Sequence, residues 1–488
     1  MVDEASQAVQ VLTDRHRHYP VYAYRGGSTT VVSTDIQCLL PWLPQVALDM
    51  ASVDLLLRCG ELIDRMTLLH GVELLPPGTV LQDTGSGPSE RRYWAMRHDG
   101  SDAGSFDDTA DALAVHLQEA VRRIERASPK LGITLSGGLD SRIILDLCQN
   151  PERIPSFTWG LPGCRDITCA TQYARVVGSP HTVRHWVPEA FPPAWPLGVD
   201  VTAGGFGVES MHMLPFVPLL GSACDVVLNG LAGDVLLGGN FTQSQWLGES
   251  DPLRLGRSTW RWRVSTAEDR LVDGLVTQVE NVPSETRWAE SIAARDGGRP
   301  IECLNDWLYE NRIFRYTNSG TMLLRSGVES HAPFFDRDFV DAVTKVRQED
   351  KVKHRLYLAV MQRAAPRAAS VTWQRTLLPP AWGYHANLAS MAAHRAINKA
   401  AGMFGVNPFK AMKVADPAAW LRGPWRSAAH DLLLGPRAKK RGLVQHQALE
   451  QLWQAHLRGA DHTRQIGVLI GIELFARQVL DDDGGPHA

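Results

Sequence analysis

Apolar and polar positions divide the 488-residue chain into three stretches of different periodicity. Up to about residue 95, short apolar runs alternate with turn residues. PVYAYRGGSTTVVST (20–34) predicts a hairpin around Gly26 and Gly27, and LLPPGTVLQDTG (74–85) predicts a Pro-Gly turn leading into another strand. A polar, Gly-rich stretch, MRHDGSDAGSFDD (96–108), reads as a linker. The following segment, 108–127, carries apolar residues at helical spacing with a polar opposite face. From residue 131 strands and helices alternate: LGITL, RIILDLCQ, SFTWG, DITCATQYARVVG, TVRHWV and CDVVLNGL. Alternation at this spacing predicts βαβ units and a parallel sheet covered on both faces. From about 250 to 480 the pattern is mostly helical, interrupted by LLPPAWGY (377–384). The expected fold is α/β: a doubly wound, mostly parallel sheet with a helical C-terminal part, preceded by a small β-rich N-terminal domain over 1–95, the main domain covering 109–488.

Charge narrows the functions. The formal net charge is −3, so no global field recruits nucleic acid or an anionic membrane, and the basic run Arg437, Lys439, Lys440, Arg441 reads as a local solvated loop. Seven scattered cysteines without a CxxC pair suit reduced thiols better than a disulfide framework. No secretory signal is evident, and no apolar run reaches the roughly 18 residues of a membrane span. The expected location is cytoplasmic.

One loop carries the chemistry. SGGLDS (136–141) lies between a buried strand and a helix, where ligands bind in a doubly wound sheet. Gly137 and Gly138 permit positive φ and close approach, so that successive N–H groups face one concavity. Ser136 and Ser141 add hydroxyls, and the helix N-terminus adds positive potential. All of this suits phosphate except Asp140, which fits only if a cation, normally Mg²⁺, bridges the two. No Walker lysine follows. The plain alternative is a Gly-rich turn with Asp140 as helix cap.

Further stretches surround it. SFTWG ends a second strand, whose backbone would read an adenine edge with Trp159 packing near the base; Leu135, ending the first strand, is counted with the nucleotide-binding residues. Asp166 opens the next helix as cap or functional acid. In NGLAGDVLLGGN (229–240), a strand ends at Gly230 and is followed by Asp234, a second carboxylate for a Mg²⁺ site with Asp140. In GVESHAPFFDRDFVDAV (327–343), Glu329 and Asp336 flank an apolar Pro-Phe-Phe as buried acids needing partners or a catalytic role, with His331 between them.

SGGLDS resembles the loop of the PP-loop ATP pyrophosphatases. With GLAGDVLLGG, ESHAPFFDRDFVD and the helices of 441–480 in that order, nearly the whole chain resembles the asparagine synthetase superfamily. DRHRHYPVYAY and the segment from GVELLPPGTVL are similar to the later part of that family's N-terminal glutaminase (Ntn-type) domain, implying a truncated domain. The resemblance implies adenylation of a substrate carboxylate by ATP, release of pyrophosphate and attack by an amine. It assigns Asp140 and Asp234 to Mg²⁺, and Ser136, Gly137, Gly138 and Ser141 to pyrophosphate. Glu329 becomes the implied base.

The departures matter. Val2 stands at the second position and the first cysteine is Cys38, so no glutaminase nucleophile is evident, and the amine is expected to come from a non-glutamine source. Relatives without glutaminase, such as β-lactam synthetases and lasso-peptide cyclases, use a substrate amine. Leu377 occupies the lysine place of the family's R-x-K pair after Arg375, leaving Lys353, His354 or Arg375 as substitutes. Leu231 stands where asparagine-forming members carry an acid, and Arg142 replaces a small residue. The expectation is an AMP-forming carbon–nitrogen ligase of specialised metabolism using ATP and Mg²⁺. Its partners are a small-molecule or peptide carboxylate and amine, with room for a biosynthetic partner protein, and neither nucleic acid nor membrane. The alternatives are a non-catalytic nucleotide-binding relic, an asparagine synthetase using free ammonia, and another PP-loop chemistry such as tRNA thiolation.

Overall fold

The computed structural model describes the chain except residues 1, 4–7, 28, 84–86, 102–103, 239–242, 278–281, 297, 404–408, 410–411 and 482–488. Parts of the predicted linker (102–103) and of the second acidic segment (239–240) therefore lie outside the described residues.

The centre is a five-stranded sheet in which strands Leu131–Thr134, Ser156–Gly160, His181–His185, Val226–Leu228 and Glu329–His331 all run parallel. Leu131–Thr134 lies in the middle, with Ser156–Gly160 on one side and Val226–Leu228 on the other. Chain order reverses between those two neighbours, so the loops after Thr134 and Leu228 open into one crevice. Alternate strand residues go to opposite faces. Ile133 and Leu228 join the core beneath helix Phe106–Ala127, while Phe157 and Val227 pack with Leu220 and Leu324 on the other side. Burying both faces explains why these strands read as nearly continuous apolar runs. Helix Phe106–Ala127 presents Leu113, Leu117, Ala120 and Val121 at spacings of three and four, and Ser105 caps its first turn by accepting from the Asp108 N–H.

The N-terminal region forms two antiparallel sheets, of four and three strands, and the predicted hairpin pairs Tyr22–Gly26 with Thr29–Ser33. It does not bury its apolar face alone. Tyr22, Val72 and Leu74 share one core with helix Met50–Cys59 and with Ile466, Ile470 and Phe475 of the last helix, Thr463–Leu480. The basic run expected as a solvated loop is instead the short helix Pro436–Arg441. Its Arg441 is held 3.0 Å from both Glu473 and Asp481, because a guanidinium beside an otherwise buried carboxylate neutralises it. Among the described residues no helix is long and apolar enough to cross a membrane.

Glu209, in the turn Val208–Ser210, packs against Gly467 of that last helix, and its Oε2 is buried without a hydrogen-bond partner among the described residues. Burial pushes its carboxyl up to about 7. A raised folded-state value stabilises only while the acid is protonated, so stability is lost as pH rises from the ordinary 4.5 through about 7. Glu209→Gln is therefore expected to stabilise the protein by about 1–2 kcal/mol near pH 8 and by little near pH 5. Urea unfolding at the two pH values checks this.

Candidate functional site

The loop after Leu131–Thr134 is closed by its own hydroxyls. The Ser136 N–H donates to Ser141 Oγ at 2.9 Å, and the Gly138 N–H donates to Ser136 Oγ at 3.2 Å. Neither Gly137 nor Gly138 adopts positive φ, contrary to expectation. Glycine at 137 is required by crowding, since a Cβ there would stand 2.9 Å from both Asp166 Oδ1 and Gln374 Oε1. Asp166 lies in the first turn of helix Arg165–Val177 but does not cap it; its carboxylate accepts the Gly137 N–H at 2.7 Å.

Arg142 resolves one departure noted in the sequence. It is wholly buried, and its Nε donates to Gly138 O at 2.7 Å. Its terminal nitrogens donate to Gly137 O at 3.3 Å and to Val371 O and Thr372 O at 3.2 Å each. A single planar fork thus ties two loop carbonyls to the segment that carries Gln374 and Arg375. A small residue at 142 would remove these four hydrogen bonds between the loop and that segment.

The second acid arrives from the neighbouring strand. After Val226–Leu228 the chain passes Gly230, where a Cβ would lie 2.6 Å from Asp140 Cβ and 2.9 Å from the Ser141 N. Gly230→Ala should therefore push the two loops apart, costing about 1–3 kcal/mol of stability by overpacking. A matched pair of denaturation curves would show it. Ala232 then takes a left-handed φ of 74°, and Asp234 enters in the first turn of Gly233–Gly238. Burial and the nearby Asp234 carboxylate push Asp140 well above the usual carboxylate range, although the Tyr357 hydroxyl donates to its Oδ1. His354 Nε2 lies 2.5 Å from Asp234 Oδ1 and 3.3 Å from an Arg375 nitrogen. Lys353 and His354 are both left-handed, with φ of 55° and 67°. Strain of this kind persists only where the surroundings impose it, and it concentrates at functional positions.

Two cavities meet here. The larger, about 420 Å³, is lined by Gly138, Asp140, Asp234, His354, Arg165 and Arg375 among others. The smaller, about 280 Å³, is lined by Leu135, Ser136, Ser141, Trp159, His212 and Gly230 among others. Asp140, Asp166 and Val414 border both. Trp159 stacks on Phe216 with ring centres 4.8 Å apart, which fixes its orientation at the wall. His212 Nδ1 lies 2.9 Å from Ser210 O, so that nitrogen carries the proton, and burial keeps the ring below its ordinary pKa and neutral.

Nearly all the sequence-predicted residues converge; Glu329 and Lys353 do not. Lys353 is exposed and lines neither cavity. Glu329 opens its strand level with Val226, upstream of the loops, and pairs with Arg325 at 3.1 Å. Its side chain is 39 % exposed, so the expectation of a buried acid fails: the parallel register leaves it at the opposite end of the strand from the crevice. Asp336 caps helix Arg337–Val343 by accepting the Asp338 and Phe339 N–H groups, which gives it a structural role. Sequence reasoning passed over Arg165, His212, Tyr357 and Gln374. Arg165 and Gln374, adjacent to the noted Asp166 and Arg375, carried a local signal; His212 and Tyr357 reach the site through long-range packing. Among the described residues no three His, Cys, Asp or Glu side chains cluster as a metal site.

An open, doubly wound α/β sheet with its cavities at the reversal of strand order defines the class of protein. The asparagine synthase family model matches residues 112–375, over half of the chain, and the chain belongs to that family. Similar proteins include putative asparagine synthetases [glutamine-hydrolyzing] of Mycobacterium bovis and of Mycobacterium tuberculosis. Each is 28% identical over 238 residues, covering 45% of this chain and 36% of the relative. The match thus spans little more than a third of those proteins' length.

Proposed function

We propose that this protein is an ATP-dependent, AMP-forming carbon–nitrogen ligase that joins a substrate carboxylate to a non-glutamine amine, in cytoplasmic specialised metabolism. The observation that carries the reading is the convergence of Asp140 and Asp234, from two adjacent strand ends, on a cavity also lined by Arg165 and Arg375. A substrate carboxylate oxygen attacks the α-phosphorus, the bond to pyrophosphate breaks, and the amine then displaces AMP from the acyl carbon. Arg375 and Arg165 face the developing charge on the leaving phosphates, a task the family gives to the lysine replaced here by Leu377. Trp159 and the smaller cavity hold the nucleoside and acyl portions. Neutral His212, whose Nε2 carries the lone pair, accepts the amine proton, a duty Glu329 is not placed to perform.

The residues fit Mg²⁺: two carboxylate donors without a third suit an ion that keeps waters and takes substrate phosphates. Asp140 and Asp234 would hold it, and when bound it neutralises phosphate charge.

A second reading, a nucleotide-binding protein without turnover, draws on the engagement of Asp140 by Tyr357, of Asp234 by His354 and of the Gly137 N–H by Asp166. Exchange of labelled pyrophosphate into ATP, across a panel of carboxylic acids with and without Mg²⁺, separates the two. Exchange that requires both an acid and Mg²⁺ supports the ligase. Tight ATP binding with no exchange for any acid would leave only the second reading.

A further inference from the structure

The first three N–H groups of the loop 136–141 are all engaged within the chain. That of Ser136 donates to Ser141 Oγ, that of Gly138 to Ser136 Oγ and that of Gly137 to Asp166 Oδ1. A loop that receives phosphate offers such groups to its ligand. The three acceptors are not equivalent. A serine hydroxyl is neutral and can turn to donate to an incoming oxygen, so it gives way without a conflict of charge. Asp166 instead brings a carboxylate oxygen to within 2.7 Å of the Gly137 N–H, the length of a charge-assisted bond. It takes the position that a phosphate oxygen would take.

The hold on Asp166 is shallow. It belongs to another element, the first turn of helix Arg165–Val177, and it reaches the loop from the wall shared by the two cavities. Burial pushes its carboxyl up, and the bonds from Gly137 and Gln374 offset this only in part. Arg142, whose charge favours the ionised form, is already committed to four carbonyls. A second seat adjoins the first. Helix Arg165–Val177 has no side-chain cap, and the N–H groups of a first turn favour an acid.

On the reading of 136–141 as the pyrophosphate loop, we infer that Asp166 is an autoinhibitory latch, occupying the Gly137 N–H in the empty site until a nucleotide displaces it. Rotation of the displaced side chain carries its carboxyl to the N-terminus of its own helix. Gln374 holds the latch closed from the segment that also carries Arg375. The engagement of Gly137 that favours a protein without turnover is then the closed state of the ligase. A closed latch lowers apparent affinity by the fraction of molecules in which it is open, so only a ligand with enough further contacts gains entry.

The test is calorimetric titration of the full chain with Mg²⁺–pyrophosphate, with no carboxylic acid present, so that turnover does not enter. Asp166→Ala frees the Gly137 N–H and removes the charge, and it is expected to bind at least about tenfold more tightly than the native protein. Asp166→Asn keeps an accepting oxygen and should gain less in the same sense; it carries the test if the alanine variant does not fold. A residue with a merely structural role would leave the affinity unchanged or weaken it, and either result would overturn the latch alone. Absence of binding by the native protein and both variants would instead remove the pyrophosphate reading of the loop, and the latch with it.

Discussion

Asp140→Asn is expected to lower pyrophosphate exchange by about a thousandfold or more while leaving the protein as stable as before, or more so. The two effects share a cause. In the folded protein burial and Asp234 push the Asp140 carboxyl up, so its charged form is disfavoured by folding. A raised value means that stability is present at acid pH and is lost as pH rises from the ordinary 3.8 toward the folded-state value. An amide has no such cost and still accepts from Tyr357, so in metal-free buffer near neutral pH a gain of about 1–2 kcal/mol is expected. Mg²⁺ should raise the melting temperature of the native protein and not that of the variant. Exchange assays and urea unfolding, with and without Mg²⁺, provide the readouts. A variant that keeps its exchange rate would sink the role given to Asp140.

Arg142 should act in the opposite way, on stability first. Removing its side chain strands the carbonyls of Gly137, Gly138, Val371 and Thr372 and opens a hole in the core around helix Asp140–Leu147. A loss of about 3 kcal/mol or more is expected for Arg142→Ala, with activity falling as Arg375 drifts from the loop. Arg142→Lys should rescue little, because one ammonium cannot span four carbonyls on two segments. Chemical denaturation measures the first effect and pyrophosphate exchange the second. Recovery of both by lysine would show that charge alone matters there.

Much of this was legible from local pattern. The alternation from 131 onward predicted the parallel sheet, and the loop at 136–141 with Asp234 pointed to the strand ends where the two cavities open, since periodicity and glycine placement are properties of neighbouring residues. The reading faltered where register decides. The segment 327–343 holds Glu329–His331, the fifth strand of the sheet, and its parallel pairing with Val226–Leu228 carries Glu329 away from the crevice. Lys353 and His354 are adjacent, yet two left-handed residues in succession turn one outward and the other onto Asp234.

By itself the sequence determined the class of fold, the strand ends at which the cavities open and the two acids that line one of them, because these follow from short-range patterns of burial and turn formation. Only the tertiary structure decided which partners those acids meet. Tyr357 for Asp140, His354 for Asp234 and the Arg142 fork between 137–138 and 371–372 all join residues more than a hundred positions apart. Packing brings such pairs together, and no local signal in the chain records them.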